Sequence, residues 1–175
     1  MPDTLLTPPF VRGHDHALGD PELAGPALVV FGDYQDPDCA AVHRAVMELR
    51  ERWDGFVYAW RHLPLGTLAN GAALFAEGAA AQDAFWAYHH VLLARQDALS
   101  VPDLMAHAAQ IGLDIAMLID RIQEERDVQR ILDDIASAKR SGTLATPSLF
   151  IESVRWEGGW EPDALEAALR AALAG

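Results

Sequence analysis

The sequence of 175 residues holds one cysteine, Cys39. A single thiol cannot close an intrachain disulfide. The disulfide-stapled scaffolds of small secreted proteins are therefore excluded, and so is dithiol cycling within one chain. No apolar run reaches the ~18 residues that a bilayer-spanning helix needs. The N-terminus, MPDTLLTPPFVRGHDH, has neither the basic start nor the long apolar run of a secretory leader, so a cytoplasmic location is expected. Basic residues are scarce: 13 Lys and Arg face 26 Asp and Glu, for a formal net charge of −13. Such a surface repels phosphate backbones and anionic lipid, which makes nucleic acid and membrane poor partners. The arginines that lie close together, Arg121, Arg126 and Arg130, alternate with Asp120, Glu124, Glu125 and Asp127, as on a solvated mixed-charge helix. There is no glycine-rich phosphate loop and no G-x-S-x-G elbow. No cofactor is expected.

What is present is a core. Hydrophobic residues make up 51% of the chain and charged residues 22%, which suits one compact domain, or one with an insertion. Residues 1–13, with three prolines among the first nine, read as a flexible N-terminal segment, and FVRGHDHAL as a short strand. GDPELAGP is turn chemistry. ALVVFGD is an apolar run suited to a strand buried on both faces. FVYAWRHLPL predicts a second strand, stopped by Pro64. Residues 68–140 read as helical: Ser100 with Asp103 is a capping pattern, Gly112 a stop, Asp114 a further cap, and Val128, Ile131, Leu132 and Ile135 an apolar face. PSLFI and VRWEG follow as two short strands joined near Glu152-Ser153. A last helix from Pro162 carries Leu165, Leu169 and Leu173.

The chemistry-bearing residues gather in FGDYQDPDCAAVH. Asp36 is a good N-cap, because its carboxylate can accept free backbone N–H groups. Pro37 suits the first helical position. Cys39, Val42, Val46, Leu49 and Trp53 then form one stripe at helical spacing, which turns Cys39 inward. Burial disfavours its thiolate, and the carboxylates of Asp36 and Asp38 oppose a second anion, while the helix N-terminus pulls the other way. A sluggish, protonated thiol is expected. His14 with His16, and Cys39 with His43, have ligand-compatible spacings but no clear third partner, so no metal is expected. Arg61 and His62 are assigned structural roles, and His89 a packing role.

The order strand, helix, strand, helical block, strand, strand, helix resembles the DsbA-like branch of the thioredoxin superfamily. Four stretches over roughly residues 14–172 carry the resemblance: DHALGDPELAGPALVVFGDYQDPDC, RHLPL, AFWAYHHVLLARQDALS and GTLATPSLFI. It implies an α/β fold, a thioredoxin-like mixed sheet with an all-helical insertion between the second and third core strands. Residues 14–67 and 141–175 would form the two parts of the thioredoxin-like domain, and 68–140 the insertion. It implies an active-site position at Asp36, Pro37, Asp38 and Cys39, where the family has C-x-x-C. Asp36 then stands in place of the attacking cysteine, and Cys39 is the resolving one. It also implies a cis bond before Pro147 and, at Thr146 and Pro147, a place for an extended peptide. From the residues alone, Pro147 is simply a proline opening a strand. The expected function is a redox-degenerate module of the thiol–disulfide oxidoreductase family that binds a peptide or protein partner. The alternative is a one-cysteine oxidoreductase acting through Cys39 by a mixed disulfide.

Overall fold

In a computed structural model, residues 4–11, 13–19 and 25–174 are described. A five-stranded mixed sheet carries the fold. Its strands are β1 (His16–Leu18), β2 (Ala27–Gly32), β3 (Val57–His62), β4 (Ser148–Ile151) and β5 (Val154–Trp156), in the order β1-β3-β2-β4-β5. Only β2 and β3 run parallel, joined by α1 (Pro37–Arg52), as a β-α-β unit requires. The β1–β3, β2–β4 and β4–β5 pairs are antiparallel.

The two central strands are buried on both faces, as their unbroken apolar runs predict. Alternate residues go to opposite sides. Leu28, Val30, Tyr58 and Trp60 enter the larger core with α1 and α7 (Pro162–Ala174). Val29, Phe31, Ala59 and Phe150 meet Ala138 and Leu6 on the other side. On α1 the predicted stripe is seated: Cys39, Val42, Val46 and Leu49 are all buried, and Trp53 packs half-buried at the helix end. Truncating one of the larger members to Ala would cost about 2–5 kcal/mol. At the end of β2, a Cβ on Gly32 would fall 2.0 Å from the Trp60 ring, so only glycine lets the chain pass there into the α1 approach.

The insertion between β3 and β4 consists of α2 (Thr67–Ala80), α3 (Phe85–Ala94), α4 (Val101–Gln110), α5 (Ile115–Gln123) and α6 (Val128–Arg140). The alanines of α2 serve close packing: Ala69, Ala72, Ala73, Ala76 and Ala79 are buried, and a Cβ on Gly78 would lie 2.8 Å from Leu118. Ser100 and Asp103 close a reciprocal capping box, and the Asp114 carboxylate accepts the Met117 N–H. Gly112 takes a left-handed φ of +82°.

Some expectations are corrected, and one falls outside the described residues. The strand read into FVRGHDHAL is confined to His16–Leu18. The turn read into GDPELAGP falls largely on residues 20–24, outside the described ones. The segment 1–13, expected as flexible, is tied down where described. Leu6 is buried, its N–H donates to the Ser153 carbonyl, and Leu5 bridges Val154. Leu132 and Leu173 face solvent. The β4–β5 hairpin turns in two residues, with Glu152 at φ 55°. Its backbone N–H donates to the Ala27 carbonyl, and its carboxylate accepts the Ala27 N–H, which fastens the turn to β2.

Candidate functional site

The end of the β2–α1 connection and the first turn of α1 present Asp36, Pro37, Asp38 and Cys39 together. Asp36 is the N-cap of α1, with Pro37 in its first turn. One Asp36 carboxylate oxygen accepts the Asp38 N–H at 2.9 Å; the other accepts the Thr146 hydroxyl at 2.7 Å. Thr146 opens the cis peptide bond to Pro147, and β4 follows at once. Two segments 110 residues apart thus meet through one charge-assisted hydrogen bond. Asp36 is half-buried, Pro37 and Asp38 are exposed, and Thr146 and Pro147 are half-buried.

Cys39 lies beneath this layer with no exposed surface. The Asp33 N–H points at its Sγ at 3.4 Å. Burial pushes the thiol far above its ordinary range. The Asp33 N–H pulls the other way, and the Asp36 carboxylate adds to the rise. The inward stripe read from the sequence is what buries it.

The loop before α1 is held from three directions. The buried Asp33 carboxylate accepts the N–H groups of Gln35 at 2.6 Å and Leu65 at 2.7 Å. The Gln35 side chain accepts the Ala69 N–H. From the connection after α3, the Gln96 amide donates to the Tyr34 carbonyl at 3.0 Å and to the Asp36 carbonyl at 2.8 Å. An open groove of about 380 Å³ lies in front, lined by Gln35, Asp36, Pro37, Leu65, Gly66 and Thr146. Leu65 is 61% exposed there, and Leu144, near the Thr146 loop, is 63% exposed. Gln35, Leu65, Gly66 and Gln96 were not read as site residues, because nothing local in the sequence brings them to Asp36.

The histidines divide differently from their spacing. His14 is exposed in a turn and does not join His16. His43 bonds His90, not Cys39, with Nε2 and Nδ1 2.7 Å apart. Burial drives the His43 pKa down to about 3, helped by His90 and Arg44. His89 is buried against Trp60, Phe85 and Trp86 and shares a 2.9 Å hydrogen bond with the Tyr34 hydroxyl, so its packing role holds. Arg61 is structural as expected. Its buried guanidinium pairs with both Asp15 oxygens, at 2.7 and 2.9 Å, and donates to Pro8, Pro9 and Ser137. His62 meets His16 and Glu77 instead of standing alone.

No helix among the described residues is long and apolar enough to cross a membrane. A family model described as thioredoxin matches residues 12–171. The Na(+)/H(+) antiporter NhaA 1 of Salinispora arenicola is 36% identical over 173 residues, which is 97% of this chain and 26% of the antiporter. The chain spans about a quarter of the length of the curated relatives it matches. Among solved structures, a thioredoxin-like oxidoreductase from Silicibacter pomeroyi superposes with a TM-score of 0.86 at 25% identity, over 100% of this chain and 99% of its own. Oxidised BdbD from Bacillus subtilis superposes with a TM-score of 0.83 at 18% identity, over 95% and 96%. The chain belongs to the thioredoxin family.

Proposed function

We propose that this chain is a redox-degenerate DsbA-like module, which has lost the attacking cysteine and holds an extended peptide or protein segment between the start of α1 and the Thr146–Pro147 loop. One observation carries the reading: the Asp36 carboxylate, bonded to Thr146 at 2.7 Å, stands over a fully buried Cys39. A carboxylate does not undergo thiol–disulfide exchange, and the single cysteine is neither exposed nor easily ionised. The groove in front stays open, with Leu65 offering apolar contact beside Thr146. In an insulin-reduction assay the protein is expected to show no cysteine-dependent turnover. An extended peptide pulled from a displayed library is expected to bind, and Leu65→Asp to abolish binding. Turnover like that of a C-x-x-C relative sinks the proposal. So does peptide binding that Leu65→Asp leaves unchanged.

The relatives named as antiporters favour a compatible second reading, in which the partner is a membrane transporter of that type. Identity to them is 34–36% along nearly the whole chain, against 18–25% for oxidoreductase structures of similar length to this chain. In this reading the module works on the cytoplasmic face. Co-purification with a tagged antiporter in detergent, and protease protection in spheroplasts, test the two parts. Failure to co-purify removes the transporter, and digestion from outside removes the cytoplasmic placement.

A further inference from the structure

His16, His62 and Glu77 come from three separate elements, β1, β3 and α2, yet converge on one point. His16 Nε2 lies 2.6 Å and His62 Nε2 2.9 Å from the same Glu77 oxygen, and the three donor atoms lie within 4.8 Å of one another. The rings are fixed. His16 stacks on Phe85 at 3.7 Å between centroids, and His62 sits edge-on to Phe85 and against Tyr34. We propose that these three side chains form a binding site for a divalent transition-metal ion, with Zn²⁺ as the natural occupant.

The donor set fits. Two imidazoles and one carboxylate are ligands that Zn²⁺ accepts, and three protein ligands leave a fourth tetrahedral position. Among the described residues, access is from the His16 side. His62 and Glu77 are buried, whereas His16 is partly exposed beside an open groove of about 360 Å³ lined by His16, Ala80, Asp83, Phe85 and Trp86. The empty cluster is held by N–H donation to Glu77. On metal entry each ring presents a bare Nε2 and keeps its proton on Nδ1. For His62 that proton faces the Trp60 indole nitrogen, 3.4 Å away, so the indole must give way. This costs affinity and makes Trp60 emission a reporter of occupancy. A bound ion would clamp the edge strand and the first insertion helix to the central sheet.

The test uses the full chain after chelator treatment. Zn²⁺ is titrated by calorimetry and tryptophan fluorescence, and Co²⁺ by visible absorption. The expected result is one saturable equivalent, tetrahedral Co²⁺ bands and a rise in Tm with free Zn²⁺. His16→Gln and Glu77→Gln should each lower affinity by at least about 100-fold, while His14→Gln leaves it unchanged. His16 lies at the rim, so its variant decides the matter if Glu77→Gln does not fold. No saturable binding by the wild-type chain overturns the proposal. Binding that survives His16→Gln, or is lost in His14→Gln, overturns it too.

Discussion

Replacing Asp15 by Ala removes half of a buried ion pair. The Arg61 and Asp15 side chains are 2% and 1% exposed. Asp15 accepts two bonds from Arg61 and one, at 2.9 Å, from the Val11 N–H. The substitution leaves the guanidinium charged and buried, with the Pro8 and Pro9 carbonyls and Ser137 as its remaining partners. Breaking such a pair costs about 3–5 kcal/mol. For a chain of this size each kcal/mol moves Tm by about 2–4 °C, so a fall of about 6–20 °C is expected by calorimetry. Replacing both partners, Asp15→Leu with Arg61→Met, should recover most of the loss, because no orphaned charge remains. The acid limb gives a second check. Burial alone would raise the Asp15 pKa, but the bonds to Arg61 and Val11 hold it below 3.8. The folded state therefore binds fewer protons, and its contribution is present above pH 3.8 and is lost as pH falls through the folded value. A Tm loss under about 2 °C in Asp15→Ala would refute the reasoning, because it would mean that solvent already compensates the pair.

Three further outcomes are expected. A soluble alkylating reagent at pH 7 should label Cys39 only through unfolding, with a rate that climbs with urea as global unfolding does; fast, urea-independent labelling would put the sulfur in contact with solvent. Asp36→Cys should restore part of the disulfide exchange missing from the wild type, measured by insulin reduction, and no gain over background would mean that the surroundings of α1 no longer support the chemistry. His43 is held neutral down to about pH 3 by burial, whereas its unfolded pKa is 6.5. Below pH 6.5 the unfolded state takes up a proton that the folded state refuses, so the His43 share of the stability should fall by about 1.4 kcal/mol per pH unit until pH 3. Denaturant melts between pH 7 and 4 check this, and a slope unaffected by His43→Gln would reject it.

The α1 region was legible because its signals are local. A cap, a proline and a helical stripe sit within eighteen residues, and each finds its expected place from Asp36 to Trp53. The capping box at Ser100 and the stop at Gly112 are legible for the same reason. Leu173 misled because steps of four residues drift by about 40° each from a 3.6-residue turn, so it leaves the face that Leu165 and Leu169 bury. Leu132, one residue after the buried Ile131, is rotated by about 100° toward solvent. The hairpin lacks the favoured Asn-Gly because Glu152 does that work, tied to Ala27 by two hydrogen bonds. The Thr146–Asp36 bond, the grip of Gln96 and the meeting of His16, His62 and Glu77 join residues far apart in sequence. Periodicity carries no trace of such pairs.

Gln96 belongs to the insertion, yet its amide grips two carbonyls of the loop that launches α1. Any tilt of the helical cap relative to the sheet must stretch those bonds or drag Asp36 along. Pressure applied at the groove is transmitted the other way, to the far end of α3. A solvent-sensitive label placed on that connection would therefore sense an occupant it never touches.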